Sequence, residues 1–310
     1  MEKTQSTIRT YEYAMKRLSN NAFEGKKITD AMMDSEEGRK QIFEYLDKVK
    51  SIGSRMIMIA SISHFTDGYR TVSKESQKAY TEKYKRYNTK LKIQRSEELE
   101  KPNEKDVDKM ITMDEVKQLK NKYKTKLTDE YIPAKDIKYL LLSLYSNIEP
   151  LRGQDYYNTE ISTKEEIEKD EHKDEKNYCL LDEGILVLNT GKTMKHYGQR
   201  IITLPDEVIE DIRQFQIKSK SKWLIPTTSD ITKHMEQSHF SKVLQRTFEQ
   251  EFGKGKTVGS SMLRKIFDSE KLKENPEFEQ KLKEFMDVAK KMGHSITTQQ
   301  LIYSRLKNAM

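Results

Sequence analysis

Tyr178 to Pro205 reads YCLLDEGILVLNTGKTMKHYGQRIITLP. Three short apolar runs, YCLL, ILVL and RIITLP, are separated by Asp182-Glu183-Gly184 and by the stretch from Gly191 to Gly198. Short apolar runs bounded by Gly, Asn and Asp are the pattern of strands joined by turns. Residues 178–204 therefore predict a three-stranded antiparallel meander. The segments around it carry the helical period instead, so this stretch decides the class: mainly α with a small antiparallel β-sheet, an α+β fold.

Working outward, Thr112 is placed to cap a helix starting at Met113, and residues 133–148 form another (Ile137, Leu140, Leu141, Leu144, Tyr145) that stops before Pro150. Beyond the meander, helices are predicted over 206–219, 238–252, 259–273, 276–291 and 297–307. Between the two regions, residues 160–176 hold eight acids against four bases and read as an insertion turned away from any polyanion. Residues 100–110 (EKPNEKDVDKM) are polar, contain Pro102 and lack periodicity, so they predict a linker. Ahead of it lie helices over 4–20 (Ile8, Tyr11, Ala14, Met15, Leu18 on one face), 35–50 (Ile42, Tyr45, Leu46, Val49), 54–66 (Met56, Ile57, Ile59, Ala60, Ile62) and 74–99. The division is a helical domain over 1–99, a linker over 100–110 and a mixed domain over 111–310.

The 310 residues suffice for two domains with modest cores, because apolar and charged residues each make up 35% of the chain. A net charge of +7 and a pI near 9.0 favour a polyanionic partner, nucleic acid before membrane. No apolar run approaches the roughly 20 residues that span a bilayer, and the opening MEKTQSTIRTYEY has no signal-peptide core. The single cysteine, Cys179, excludes an internal disulfide and disfavours a thiolate metal site. An intracellular, soluble protein without metal or cofactor is expected.

The charge is concentrated. From Arg70 to Arg95 nine bases (Arg70, Lys74, Lys78, Lys83, Lys85, Arg86, Lys90, Lys92, Arg95) face only Glu75 and Glu82, with Tyr69, Tyr80, Tyr84 and Tyr87 interleaved. So few acids are unusual for an ordinary solvated face. A phosphate-contacting helix is the expectation, with Lys74, Lys78, Lys83, Arg86 and Lys90 as DNA-binding residues.

A second set of residues points to phosphodiester chemistry. Arg152 stands in PLRGQD at a helix break, where a guanidinium fork could hold two phosphate oxygens and Asp155 could brace it from the same face. Arg264 in SMLRKIF lies beside the apolar face of its helix, where an unpaired charge is costly and an anionic partner is needed. Lys192 in NTGKTMK sits in a turn between predicted strands and can donate a proton to a leaving oxygen; Lys195 and His196 share that loop as competitors. His294 in MGHS follows a glycine between two helices and can aim a donor at a phosphate. Tyr303 lies nine positions further on; its phenol, pKa about 10, attacks only when cations surround it.

In this order the residues resemble those of the tyrosine recombinases, the phage-integrase family. Arg152-Gly153-Gln154-Asp155 matches the R-x-x-[DE] motif, Lys192 the hairpin lysine, Ser261-Met262-Leu263-Arg264 the H-x-x-R motif, and Met292 to Tyr303 the L-G-H box with its tyrosine. The pattern KTxKxxGxRxIxLP around Lys192 looks most like integrases of large eukaryotic DNA viruses and their satellites. The resemblance spans nearly the whole chain. It implies an N-terminal helical core-binding domain that clamps DNA and a catalytic domain that cuts and rejoins it through a 3′-phosphotyrosyl intermediate. It implies double-stranded DNA as partner, tetramers assembled on it, and a host nucleus or cytoplasm as location. Catalytic residues would be Tyr303, Arg152, Lys192, Arg264 and His294. Ser261 departs from the pattern: it stands where the family carries His or Lys, and a hydroxyl can donate to phosphate but cannot act as a base near neutral pH. Which group takes the Tyr303 proton stays open. So do two other functions: a non-catalytic DNA-binding protein derived from a recombinase, and a nicking-closing enzyme of the type IB topoisomerase or telomere-resolvase kind.

Overall fold

The computed structural model describes residues 5–99, 107–192 and 194–291. The chain divides into two compact units, 1–103 and 104–310.

The first unit is helical: α1 (Gln5–Ala22), α2 (Asp30–Asp34), α3 (Glu36–Lys48), α4 (Ile52–Phe65) and α5 (Lys74–Leu99). Side-chain oxygens start three of them. Thr29 accepts from Met32 N, Ser35 from Gly38 N and Ser51 from Ser54 N. The core is built on Leu18, Ile42, Leu46, Ile59 and Ile62, closed by Tyr80 and Tyr87 of α5. On α4 the periodicity misplaces the inner face. Met58, Ile59, Ser61 and Ile62 are buried, while Ile57 is 41% exposed. Because α4 packs against both α1 and α5, it is apolar nearly all round and no single stripe is legible.

The tyrosines of α5 also correct an expectation. Tyr80 and Tyr87 do not stand among the cations at the surface but are almost fully buried. Tyr80 donates to Met33 O at 2.8 Å and Tyr87 to Asp47 Oδ1 at 2.6 Å. A phenol brings a large apolar ring and a polar tip, so it can fill a core if the tip finds an acceptor.

The second unit opens with α6 (Met113–Lys124), held by a reciprocal capping box between Thr112 and Glu115. α6 packs on α7 (Pro133–Asn147), which is buried along most of its length. Tyr139 and Ser143 of α7 both donate to the buried carboxylate of Asp211 on α11 (Asp206–Ser219), Tyr139 at 2.6 Å. Two hydroxyls thus satisfy an acid inside the core.

After α7 come α8 (Gly153–Tyr157), β1 (Thr159–Ile161), α9 (Lys164–Glu168), β2 (Asn177–Leu180), β3 (Ile185–Leu188), α10 (Met194–Tyr197) and β4 (Arg200–Thr203). The sheet has the order β1-β2-β3-β4. β2, β3 and β4 form the expected meander, with Tyr178 opposite Val187 and Ile185 opposite Thr203. The sheet is nevertheless mixed and four-stranded, because β1 pairs parallel to β2. The acid-rich stretch 160–176 begins within this edge strand, at Glu160 and Ile161, and goes on to a capped turn of helix. Segment 222–224 covers the outer side of β1 through Ile161 N to Lys222 O (2.7 Å) and Leu224 N to Thr159 O (2.9 Å). There Trp223, the only tryptophan, donates Nε1 to Thr232 O at 2.9 Å beside the His234 ring.

Three longer helices follow: α12 (Gln237–Phe252), α13 (Ser260–Glu274) and α14 (Pro276–Lys291). Of the predicted linker only residues 107–110 are described. The predicted helix over 297–307 lies outside the described residues, as do His294 and Tyr303. Among the described residues no helix is long and apolar enough to cross a membrane.

Candidate functional site

Arg152 is the N-cap of α8, in extended backbone (φ −71°, ψ 147°), and is half-buried. Gly153 follows because no side chain fits there: an added Cβ would lie 2.8 Å from the Phe240 ring of α12. This close approach fixes the start of α8 and with it the backbone that carries Arg152.

Asp155, one turn into α8, is 1% exposed. The sequence suggests Arg152 as its partner; the structure supplies another. Arg200, the first residue of β4, donates Nη2 to Asp155 Oδ2 at 2.9 Å. The pairing is long-range because β4 returns past α8 only once the meander has formed. Arg200 was legible in sequence as a cation opening an apolar strand, but nothing local assigned it a role.

Lys192 lies in the connection between β3 and β4, and its side chain is exposed. The turn just before it presses on α8. Gly191 has φ +149°, and a Cβ there would meet Asp155 Oδ1 at 3.1 Å and Gln154 Nε2 at 3.2 Å. Only glycine combines that backbone with that proximity. The Arg152 segment and the Lys192 loop, 40 positions apart, are thus brought to one edge of the second unit. Lys195 and His196 lie on α10 in the same loop.

Arg264 is half-buried on α13, whose inner face carries Met262, Leu263 and Ile266. Its Nε is buried and unbonded, and no ion pair for its guanidinium is found among the described residues. Arg264 and Asp155 both bear electrostatically on the hydroxyl of Tyr145 of α7. Burial pushes the Tyr145 pKa well above its ordinary value and Tyr156 adds to this, whereas Ser260 and Arg264 pull the other way. The Tyr145 hydroxyl makes no hydrogen bond of standard geometry, and its ring packs edge-on to Tyr156 at 5.1 Å. Ser261, one turn ahead of Arg264, is exposed.

Among the described residues, six buried side-chain polar atoms lack a hydrogen-bond partner, and four of them belong here: Tyr145 Oη, Asp155 Oδ1, Arg200 Nε and Arg264 Nε. Buried polar groups are normally paired, so this edge concentrates the unmet hydrogen-bonding capacity of the described residues. Two of the four atoms are guanidinium donors, which suits an anion. Among the described residues no group of three or more His, Cys, Asp or Glu side chains is placed to hold a metal ion.

The basic residues of α5 form a separate surface in the first unit. Lys74, Lys78, Arg86 and Lys90 are exposed. Lys83 is not part of that surface. It donates to Asp47 Oδ2 at 2.8 Å and lies over the rings of Phe43 and Tyr87. At about 100° per residue, Lys74, Lys78, Lys85 and Lys92 fall in one row along the helix.

No protein-family model matches the chain, and neither a curated protein nor a solved structure does.

Proposed function

We propose that the chain is a DNA strand-exchange enzyme of the tyrosine-recombinase kind, as its motifs suggest. In this scheme the Tyr303 hydroxyl attacks a DNA phosphate, forming a 3′-phosphotyrosyl bond and releasing a 5′-hydroxyl. Arg152 and Arg264 offset the charge on the pentavalent phosphate, and His294 adds a hydrogen bond. Lys192 protonates the leaving 5′-oxygen. The new ester conserves the energy of the broken one, so a second 5′-hydroxyl can reverse the step onto a new partner. Double-stranded DNA is the substrate, four protomers act together on it, and the exposed row on α5 holds the duplex by its phosphates.

One observation supports the reading: the Nε of Arg264 and of Arg200 lack partners, Gly191 beside Lys192 lies against Asp155 three residues after Arg152, and Arg264 and Asp155 both act on the Tyr145 hydroxyl. A buried guanidinium nitrogen in a purely structural arginine would be met by a carboxylate or by carbonyls. A phosphate supplies what Arg264 lacks.

Ser261 favours a second reading, a DNA-binding protein without strand cleavage, because it removes a base from the place where the family carries one. A single experiment separates the two. Short nicked duplexes from the ends and flanks of the encoding genome are incubated with wild-type protein and with Tyr303→Phe, then run on denaturing gels. A DNA-shifted protein band that vanishes in Tyr303→Phe supports the enzyme. Tight, salt-sensitive binding with no such band on any fragment overturns it in favour of the binding protein.

A further inference from the structure

A slot in the first unit is lined by Tyr11 of α1, Ala60 and Ser63 of α4, Tyr69 of the α4–α5 turn, and Thr81 and Tyr84 of α5. Its volume is about 270 Å³. Three small residues and three tyrosines line it. Cavities for drug-sized ligands start near 300 Å³, so this one suits a single flat ring.

The turn that supplies Tyr69 is strained, and the Tyr69 side chain packs on the core with its hydroxyl donating to Ile59 O at 3.4 Å. Asp67, Gly68 and Tyr69 have φ of 47°, 69° and 71°. Three successive left-handed residues are rare, and a tyrosine among them is disfavoured unless its surroundings hold it. Here they do. Tyr69 N donates to Thr66 Oγ1 at 3.2 Å, Gly68 N donates to Ser63 O at 2.7 Å, and the Tyr69 ring lies parallel to that of Tyr80 at 5.7 Å. That packing leaves Tyr69 lining the slot together with Tyr84, which is 37% exposed.

Two lysines of α5 stand near the slot by helix spacing, with the exposed Glu82 next to Thr81. Lys78 and Lys85 are three residues before and four after Thr81, so they flank the slot on the same face of α5, and both are exposed. The nearest acid of the turn, Asp67, is engaged by Arg70 at 3.2 Å. A flat aromatic ligand carrying phosphates on either side is what this arrangement complements.

We propose that the slot receives one unpaired base of a DNA strand, stacked against Tyr84, while Lys78 and Lys85 hold the phosphates beside it. This rests on the DNA-binding part of the proposed function, not on its chemistry. The protein would then favour DNA with a base available outside the helix, such as a strand opened or bulged near a cut.

The test uses the full chain and three labelled duplexes of equal length at one salt concentration. One is fully paired, one carries a single unpaired adenine, and one carries an abasic site in place of that adenine. Stacking of one base on an aromatic side chain predicts about tenfold tighter binding of the adenine bulge than of the abasic one. Tyr84→Leu should remove the advantage and Tyr84→Phe keep it, with paired-duplex binding unchanged in both. Ala60→Leu, which adds bulk to the lining of the slot, should act like Tyr84→Leu. Equal affinity of wild type for the two bulged duplexes overturns the slot while leaving DNA binding standing, and so does an advantage that survives both Tyr84→Leu and Ala60→Leu. Failure to bind any of the three duplexes sinks the DNA reading itself, and the slot proposal with it.

Discussion

Arg39 is buried and Arg264 is half-buried with a buried Nε, and the two units treat their guanidinium groups differently. Arg39, in the first unit, is 9% exposed and fully engaged: Nη1 donates to Asp34 O and Ser76 Oγ, and Nη2 to Glu75 at 2.7 Å. It ties the start of α5 to the end of α2. Arg264, in the second unit, has an unbonded Nε and no carboxylate among the described residues. Depth alone does not tell a structural arginine from one that awaits a ligand. The partners do, since a buried guanidinium nitrogen left unbonded lowers stability and is open to a ligand.

The sharpest way to break this contrast is to replace each arginine by methionine. Arg264→Met should lower covalent-adduct formation on the order of 10²–10³-fold while leaving stability equal or higher, because an unpaired charge is removed. Arg39→Met should do the reverse, costing about 2 kcal/mol through its lost hydrogen bonds without touching the chemistry. Urea unfolding beside the adduct assay reads both; a loss of stability in Arg264→Met equal to that in Arg39→Met would end the comparison.

The next largest effect concerns the pair at the edge of the sheet. Arg200→Met strands the carboxylate of Asp155, 1% exposed, inside the protein, and a broken buried pair costs about 3 kcal/mol. A change below 1 kcal/mol in the same unfolding experiment would mean that Asp155 finds another partner.

Smaller effects sharpen the contrast within α5. Lys78→Ala with Arg86→Ala should weaken DNA binding uniformly across sequences and reduce the salt slope by about two. Lys83→Met should leave that slope unchanged and lower stability instead, because Lys83 is tied to Asp47. Salt titrations of both variants separate the roles.

The smallest effect is one of pH. Burial works to raise the Asp47 pKa, but the hydrogen bonds from Lys83 and Tyr87 and the charges of Lys83 and Arg55 outweigh it and hold the group below its ordinary value of 3.8. Its folded pKa therefore lies below its unfolded one. The stability it contributes is complete above about pH 4 and fades as pH falls through the folded value. Asp47→Asn should flatten the acid limb of the stability curve, and an unchanged limb would assign acid unfolding to other carboxylates.

What the sequence made legible follows its local physics. The Thr112 cap and the 3.6-residue period marked helix ends closely because those signals lie within a few residues. The meander was legible from its turns. β1 was not: Thr159-Glu160-Ile161 is too short to alternate, and its parallel partner is fixed only by the chain between them. Lys83 looked like its neighbours because Asp47 stands 36 positions away. The arginines of the candidate site were legible as residue types in motifs. Their environment was not, since the orphaned Nε of Arg264 and the Arg200–Asp155 bond are products of tertiary packing.

Trp223 has a practical consequence. It is the only indole in the chain and sits in the second unit, on the segment that covers β1, with its N–H held by Thr232 and an imidazole against its edge. The first unit, built on tyrosines, contains no indole. Light absorbed near 300 nm therefore excites one unit alone, whereas backbone dichroism reports helices from both. Each molecule thus carries a two-channel optical record of its own unfolding, and non-coincident transitions in the two channels would show directly, without a label, that the units melt separately.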